Sequence, residues 1–557
     1  EVAVVTAEPR LIMKWRGKEI VRIARSFLAT NGVRQHVRVA VAAPNEQAPY
    51  LQQVPPLVRK AGRSLETMWL ANLRDLNVCS QKGLGERFDG TVGAASVLMP
   101  FGGKYQLTPT EAMVAKIPVR YGETNTASAM AFGFDPDLST WSPFHGAAYA
   151  VIEAVAKIVA VGGRADQVRL TLQEYFERLG TDPDKWGKPF AALLGALRAQ
   201  HELGIPAIGG KDSMSGTFEQ LNVPPTLVAF AVATVPADKV LSPEFKYPGN
   251  RVIMIPVPCD MQDLPVFERL RKNFAKVHEL IHGQKVFSAQ SVGRGGVAAA
   301  LSKMCLGNNL GFKFTTYIPQ DDLFKPLYGT ILLEVASSFD LNANLAGMGA
   351  VKIGVTRDVP SIITDLDTIV LADVKTAYTE PLEKIFPTTV QHTHRQIDRP
   401  TFAPYTKGKR KGRSLKIAKP RVCIPVFPGT NCEYDSARAW ERVGAKPEIM
   451  VVRNLTPQAV EETVTAMAEA IKRAQILMLP GGFSGGDEPD GTGKFIAAMF
   501  RAPQIAEAVH RLLHDHDGLI LGICNGFQAL LKLGLLPYGE ITDLDEDTPT
   551  LTYNNIG

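Results

Sequence analysis

The sequence has 557 residues, of which 45% are hydrophobic and 21% charged, an ordinary globular composition that excludes a largely disordered chain. At roughly 100–200 residues per domain, this length predicts about three to five domains. The 61 Lys and Arg residues exceed the 56 Asp and Glu residues by only five charges, which over this length does not indicate a nucleic-acid-binding protein.

The cysteine content and the hydropathy pattern limit the cellular locations that the sequence predicts. Six cysteines in so long a chain do not make a disulfide scaffold, so we interpret them as reduced thiols of a cytoplasmic protein. No apolar run reaches the roughly 18 residues that a membrane helix needs, and the richest run, 147–161, contains Glu153 and Lys157. There is no signal-peptide pattern, and the chain opens at Glu1 rather than at Met, so we expect a fragment or a processed chain.

The part of the chain before residue 404 has mixed α+β patterning. Residues 1–75 do not form a complete unit, and we interpret them as the tail of a preceding segment with a connector. Residues 76–245 and 246–403 are predicted as two α+β domains. Apolar periodicity predicts long helices over 143–161 and 189–203. Strands are predicted over four apolar runs, at 226–235, 251–257, 329–335 and 351–355.

Residues 404–420 form a strongly basic stretch between the two halves of the chain. It contains no acidic residue and seven cationic ones, namely Lys407, Lys409, Arg410, Lys411, Arg413, Lys416 and Lys419. We interpret it as a solvated interdomain linker because Pro and Gly flank it. The alternative is a phosphate- or RNA-binding patch, but no aromatic residue is interleaved with the core of the run to stack on bases.

Beyond the linker, residues 421–557 alternate strands with helices. Strands are predicted over 421–428, 448–452, 476–479 and 518–523, with helices over 431–444, 456–473 and 504–514. Thr456 is a predicted N-cap, and Pro457 suits the first helical position. This alternation predicts a doubly wound parallel sheet covered on both faces. Functional residues of such sheets lie beyond the carboxyl ends of the strands.

Cys524 is the candidate nucleophile, because it stands in a G-x-C-x-G turn between a predicted strand and a predicted helix. Small residues on both sides, Gly522 and Gly526, avoid steric clashes in a sharp turn. A sulfur at a helix N-terminus is favoured as the thiolate by the free N–H groups and the helix dipole. The N–H of Asn525 is predicted to stabilise an oxyanion formed by attack at Cys524.

The other five cysteines are predicted to be buried structural residues. No metal-ligand spacing joins them, and free cysteine is often buried. They are Cys79, Cys259, Cys305, Cys423 and Cys432.

A glycine-rich loop at 480–487 follows the third strand of the same predicted sheet. Paired glycines let backbone N–H groups approach a ligand, so the N–H of Gly482 is predicted to complete the oxyanion hole. A thiolate also needs a base, usually His. His510, His514 and His516 are instead expected to face solvent beside charged neighbours, so the sequence does not identify the base.

Lys211, Asp212 and Ser213 lie in a second loop, GGKDSMSG, which glycines open. One cation, one carboxylate and hydroxyl groups can bind phosphate and position Mg²⁺. A tight polar turn between strands is the structural alternative.

Several long blocks resemble known enzymes. PGGFSGGDEPDGTGKF (480–495) and GICNGFQALLKLG (522–534) resemble class I glutamine amidotransferases, and in particular the glutaminase domain of the phosphoribosylformylglycinamidine synthase family of purine biosynthesis. Four earlier blocks resemble the second half of that family's aminoimidazole-ribonucleotide-synthetase-like α+β core: MPFGGKYQLTPTEAMVAKIPV (99–119), NTASAMAFGFDP (125–136), WSPFHGAAYAVIEAVAKIVA (141–160) and IGGKDSMSGTFE (208–219).

The resemblance implies a ligase that joins two reactions. A cysteine releases ammonia from glutamine, and ATP activates formylglycinamide ribonucleotide so that ammonia converts its amide to an amidine. It implies ATP and Mg²⁺ as cofactors and favours a nucleotide or substrate role for Lys211, Asp212 and Ser213. Ammonia would protonate in bulk water, so a shielded route between the two sites is expected.

The chain departs from the family pattern in three ways. The triad His and Glu of the family lie downstream of the thiol and are not reached before Gly557, and the first half of the core with its primary ATP site is also missing. We therefore expect this fragment to be inactive alone and to need the N- and C-terminal parts of the same protein. The third departure concerns an auxiliary nucleotide and magnesium motif, E-x-x-x-N, in which Lys157 stands where Asn is expected after Glu153.

The same departure extends to a glycine-rich loop at 291–296. Ser291 stands there where a metal-binding Asp is expected. Lys157 or Arg294 replacing a cation electrostatically is a hypothesis, and no residue is assigned as a metal ligand.

Two alternatives stay open at this point. The chain could contain a class I glutaminase that serves another ATP-dependent synthetase. It could instead be a noncatalytic scaffold or regulatory module in which Cys524 is a redox sensor.

Overall fold

The structure is a computed structural model, and it describes residues 3–30, 36–88, 90–91, 95–119, 122–389, 417–485, 493–543, 545–546 and 548–551. The chain divides into two compact units. The first unit contains Glu1–Pro118 and Thr124–Thr389, and the second contains Val119–Glu123 and Val390–Gly557. Residues 404–416 of the predicted linker lie outside the described residues, and the finer predicted domain boundaries stay predictions.

The first unit contains two larger sheets and several short hairpins. Its strands are β1 Arg10–Trp15, β2 Lys18–Ala24, β3 Phe101–Gly102, β4 Thr108–Pro109, β5 Met113–Lys116, β6 Thr126–Gly133, β7 Arg169–Tyr175, β8 Ala207–Lys211, β9 Thr217–Phe218, β10 Leu221–Asn222, β11 Thr226–Pro236, β12 Arg251–Ile255, β13 Ser288–Ser291, β14 Gly311–Phe314, β15 Ile331–Val335, β16 Val351–Arg357, β17 Ser361–Ile363 and β18 Thr368–Val370. Its helices are α1 Arg25–Thr30, α2 Pro56–Lys60, α3 Leu65–Arg74, α4 Lys82–Gly85, α5 Pro136–Trp141, α6 Pro143–Ala160, α7 Pro183–Leu203, α8 Phe267–His282, α9 Gly296–Leu306, α10 Leu341–Leu345 and α11 Leu371–Thr379.

Helices α6 and α7 begin at side-chain caps. The hydroxyl of Ser142 accepts the N–H of His145 at 3.3 Å and starts α6. The sequence prediction for α7 was wrong at its start, which was placed at residue 189. The carboxylate of Asp182 caps the helix, Pro183 is the first helical residue, and Pro189 lies inside the helix.

The two larger sheets of the first unit each pack against helices. One has the strand order β5-β6-β11-β7-β8 and is antiparallel except for the parallel pair β7 and β8. The other has the order β13-β15-β12-β16-β14-β17-β18. Helix α6 packs against β6, β11 and α7. The chain passes between the two sheets within residues 237–250, a stretch that contains the predicted division between residues 245 and 246.

The second unit is a parallel sheet with helices between its strands. Its strands are β19 Arg421–Val426, β20 Lys446–Val451, β21 Ile476–Leu479 and β22 Leu519–Gly522. Its helices are α12 Glu433–Arg442, α13 Pro457–Arg473, α14 Lys494–Phe500, α15 Pro503–His510, α16 Asn525–Lys532 and α17 Leu535–Tyr538.

The strand order of this sheet is β20-β19-β21-β22, and its pairs are all parallel. Separate apolar clusters lie around Leu477 and around Met478, neighbours on β21 whose side chains point to opposite faces of the sheet. The predicted class, an α+β core followed by a doubly wound parallel sheet, is confirmed. Within the described residues, none of the helices combines the length and the apolarity needed to cross a membrane.

Candidate functional site

Cys524 lies at the turn between β22 and α16 and has a strained backbone. It precedes the first residue of α16 and has φ 51° and ψ −108°. A positive φ is uncommon for a residue with a β-carbon, and such strain costs on the order of 1–3 kcal/mol and clusters at active sites. The turn is held by the N–H of Ile523, which donates to the carbonyl of Leu479 at 3.0 Å, and by the N–H of Gly526, which donates to Ile523 at 2.9 Å.

The two glycines that flank Cys524 are required by close backbone packing. A β-carbon on Gly526 would lie 2.1 Å from the carbonyl oxygen of Leu479, at the end of the neighbouring strand β21. A β-carbon on Gly522 would lie 2.7 Å from the backbone of Gly526. The G-x-C-x-G spacing is therefore a steric requirement of this turn.

The thiol of Cys524 is exposed, as a nucleophile requires, and all six cysteines are free. Cys79, Cys305 and Cys423 are buried as predicted, and burial, assisted by Glu448, raises the pKa of Cys423 to about 12. The prediction of burial was wrong for Cys259 and Cys432, which are exposed.

The physical reason for the error is the position of both residues along the chain. Cys259 follows the end of β12, and Cys432 follows the end of β19. Loops that leave the carboxyl ends of strands run over the surface, so their side chains stay outside the core.

The glycine-rich loop lies beside Cys524. A β-carbon placed on Gly481 would lie 3.3 Å from the β-carbon of Cys524. Gly482 has φ 130°, and a β-carbon there would lie 2.5 Å from the carbonyl oxygen of Gly429. Within the described part of the chain, the N–H groups of Gly482 and Asn525 donate to no backbone acceptor. The two predicted donors are therefore available at this edge of the sheet. Residues 486–487 of the loop lie outside the described residues.

A buried hydrogen-bond pair connects the glycine-rich loop to the turn. The side-chain oxygen of Asn525 accepts the N–H of Ser484 at 3.2 Å and its hydroxyl at 2.6 Å. Both residues are almost fully buried, at 2% and 1% exposure. The side chain of Asn525 therefore fixes the spacing between the loop and the turn. This role of the Asn525 side chain was not predicted from the sequence, where only its N–H was assigned a function.

The three histidines near the end of α15 are exposed, as predicted. The rings of His510 and His514 are 4.4 Å apart on consecutive turns. Within the described ranges, no cluster of three or more His, Cys, Asp or Glu side chains could hold a metal. The base for Cys524 is therefore not assigned.

In the first unit, Lys211, Asp212 and Ser213 lie at the carboxyl end of β8. The side chains of Lys211 and Asp212 are exposed, and the hydroxyl of Ser213 lies 2.9 Å from that of Ser215. The N–H of Ser213 donates to the backbone carbonyl of Glu174 on β7 at 3.2 Å. Glu174 was not predicted from the sequence, because its burial depends on how β7 pairs with its neighbours.

Lysine and arginine side chains of the chain itself form ion pairs with the carboxylates at the auxiliary motif and near Arg294. Lys157 lies 2.9 Å from Glu153. The guanidinium of Arg294 lies within 3.3 Å of three carboxylates, those of Asp75, Asp135 and Asp137. Because these carboxylates already have cationic partners, this part of the unit does not fit a divalent metal, and the geometry supports the hypothesis that side-chain cations act in its place.

Comparisons with known proteins agree with this geometry. A family model of the CobB/CobQ-like glutamine amidotransferase domain matches residues 419–557. The chain is 37% identical over 141 residues to phosphoribosylformylglycinamidine synthase subunit PurQ of Dehalococcoides mccartyi, covering 25% of this chain and 49% of that protein. It is 28% identical over 331 residues to subunit PurL of Pyrobaculum aerophilum, covering 55% and 43%. It is 24% identical over 551 residues to the human phosphoribosylformylglycinamidine synthase, covering 87% and 39%.

Residues 419–557 are therefore similar to glutamine amidotransferase domains, and the parallel sheet and the turn at Cys524 lie within this matched range. The relatives of the chain across both units are phosphoribosylformylglycinamidine synthases, which confirms the predicted resemblance. The chain spans half or less of the length of these relatives.

Proposed function

We propose that this chain is part of a glutamine-hydrolysing phosphoribosylformylglycinamidine synthase, an ATP-dependent ligase of purine biosynthesis. The second unit releases ammonia from glutamine, and the first unit contributes to the site where formylglycinamide ribonucleotide becomes its amidine. The observation that carries this proposal is the exposed Cys524 at a strained strand-to-helix turn beside a glycine-rich loop.

The thiolate of Cys524 attacks the side-chain amide carbon of glutamine. The carbonyl electrons move to oxygen, and the resulting oxyanion accepts hydrogen bonds from the N–H groups of Gly482 and Asn525. The tetrahedral adduct collapses, the amide nitrogen takes a proton and leaves as ammonia, and a glutamyl thioester remains. Water hydrolyses the thioester to glutamate and restores the thiol.

In the synthetase reaction, the amide oxygen of formylglycinamide ribonucleotide attacks the γ-phosphorus of ATP, and ADP leaves. The phosphorylated oxygen is then a good leaving group, so ammonia adds to the carbon and phosphate departs. Lys211, Asp212 and Ser213 are proposed to bind the nucleotide or the substrate phosphate from the end of β8. Mg²⁺, when bound, would neutralise negative charge on the transferring phosphate.

The remaining machinery is proposed to come from other parts of the same protein. These parts would supply a His and a Glu to complete the catalytic triad with Cys524, and the primary ATP site. Six free cysteines fit a reducing cytoplasmic compartment, and we propose neither a membrane nor a nucleic-acid partner.

The test is an assay of the full-length protein with formylglycinamide ribonucleotide, ATP and glutamine. Formation of the amidine, glutamate and ADP is expected. Glutamine hydrolysis without amidine would indicate a glutaminase that serves another synthetase. Absence of both activities, with Cys524 still reactive toward oxidants, would favour a redox module.

A further inference from the structure

The parallel strands β7 and β8 end side by side at one edge of their sheet. Gln173 on β7 pairs in register with Lys211 on β8, so the next residues, Glu174 and Asp212, are neighbours across the two strands. The N–H of Ser213 donates to the carbonyl of Glu174 at 3.2 Å, and the N–H of Phe176 donates to Ser213 at 2.9 Å. These backbone bonds fix the loop after β8 against the end of β7.

Glu174 places a buried carboxylate at this edge of the sheet. The residue is 7% exposed, and its Oε1 atom is fully buried with no hydrogen bond from the described residues. The carboxylate of Asp212 is near enough to act electrostatically on this buried carboxylate. An unpaired buried carboxylate beside a second carboxylate needs a proton or a cation to offset its desolvation.

Glu177, three residues further along, is a buried carboxylate that does have cationic partners. It is 5% exposed, but its carboxylate is bound by Lys188 and lies 3.1 Å from Lys185. Burial opposes ionisation there, yet the two lysines hold the pKa of Glu177 below its usual value. The lack of a partner for Glu174 Oε1 among the described residues is therefore a local feature and not a general consequence of burial in this segment.

The surroundings of Glu174 supply the other ligands that a hard cation prefers. Asp212 is exposed, and the hydroxyl groups of Ser213 and Ser215 lie within 2.9 Å of each other in the same loop. Lys211 is exposed at the end of β8 and can reach a phosphate in solvent. Mg²⁺ is typically bound by one or two carboxylates, with waters and substrate phosphates completing its octahedron.

We propose that Glu174 and Asp212 are a pair of divalent-cation ligands, occupied by Mg²⁺ in the cell, and that a phosphate-bearing ligand held by Lys211 completes the coordination. The identity of that ligand as ATP or the ribonucleotide substrate rests on the proposed function. The proposed cation site itself does not depend on that function. It goes beyond the sequence expectations, in which the loop of Lys211, Asp212 and Ser213 could position Mg²⁺ but no residue was assigned as a metal ligand and Glu174 had no role.

The test is a titration of the full-length protein with Mn²⁺, followed by electron paramagnetic resonance of the free ion and without nucleotide or substrate. In E174Q and in D212N, we expect the loss of one Mn²⁺ equivalent or at least a tenfold weaker affinity for it. E177Q is the burial-matched control and should keep the wild-type stoichiometry. Circular dichroism verifies that the variants are folded, and D212N changes only an exposed side chain.

Unchanged Mn²⁺ binding in E174Q overturns the proposal. A nonhydrolysable ATP analogue should tighten Mn²⁺ binding in the wild type and not in K211A. Equal tightening in both proteins would show that Lys211 does not hold the phosphate ligand of this site. Since the titration without nucleotide measures no turnover, an absent amidine product would contradict the proposed function without affecting the cation site.

Discussion

At the scale of single residues, two glycines decide whether Cys524 can occupy its strained turn. The β-carbon that Gly526 lacks would overlap the carbonyl oxygen of Leu479 at 2.1 Å, and neither backbone segment can move without disturbing β21 or α16. The positive φ of Cys524 is thus maintained by packing on both sides of the residue.

The substitution Gly526→Ala is expected to destabilise the second unit by about 2–3 kcal/mol through overpacking. It should also move the thiol away from the donors of the glycine-rich loop. Denaturant unfolding measures the first effect, and labelling of Cys524 by a glutamine-analogue electrophile measures the second. Gly209→Ala is the control, since a β-carbon there meets nothing within 4 Å. Wild-type labelling of G526A would show that the turn tolerates the side chain.

The sequence predicts part of this site and not the rest for identifiable reasons. The proposed nucleophile and its flanking glycines form a local pattern, so they can be found from five consecutive residues. The buried pair of Asn525 and Ser484 joins positions 41 residues apart, and its hydrogen bonds exist only after β21 and β22 are paired. Glu174 likewise acquires its buried position from a sheet that pairs β7 with both β8 and β11.

At the scale of secondary structure elements, local capping explains which boundaries are predictable. Helix α13 has the predicted bounds because Thr456 caps it and Pro457 begins it. Helix α7 begins six residues before its predicted start, because Pro189 resembles a helix start although Asp182 and Pro183 already form one. Pro189 lies beyond the first turn and has no N–H, so α7 continues past it without the backbone hydrogen bond to the carbonyl four residues earlier.

A pH-dependent contact joins α8 to the loop after α6. The rings of His278 and His282 lie 4.0 Å apart, and each is hydrogen-bonded to the carbonyl of Gly162, at 3.1 and 3.0 Å. Burial, with smaller contributions from His282 and Arg164, lowers the pKa of His278.

Because the pKa of His278 is lower in the folded state than in the unfolded state, the unfolded state binds more protons between the two values. Stability is therefore fully present above the unfolded value of about 6.5 and declines as the pH falls through the lowered folded value. His278→Asn should flatten this decline. Urea unfolding at pH 5, 6, 7 and 8 measures it, with His201→Asn, an exposed residue of α7, as the control. An identical pH profile for H278N and the wild type would contradict the assignment.

At the scale of the whole molecule, we propose that the two units carry different chemistry. Each has its own apolar clusters and its own sheets, the first around α6 and the second around β21. The proposed reactions are linked only by ammonia, which the glutaminase releases and the synthetase consumes. Removing the thiol therefore removes the source of ammonia and leaves the acceptor chemistry intact.

In the full-length protein, Cys524→Ser should lower glutamine-dependent amidine formation by at least about a thousandfold, the scale of losing a catalytic nucleophile. Amidine formation from added ammonium salt should stay within about twofold of the wild type, and it should rise with pH because only free ammonia is nucleophilic. Cys432→Ser is the matched control, since Cys432 is a second exposed cysteine of the same unit. Loss of both activities in a folded C524S protein would place Cys524 in the synthetase reaction as well, whereas retention of glutamine-dependent synthesis would remove it from catalysis.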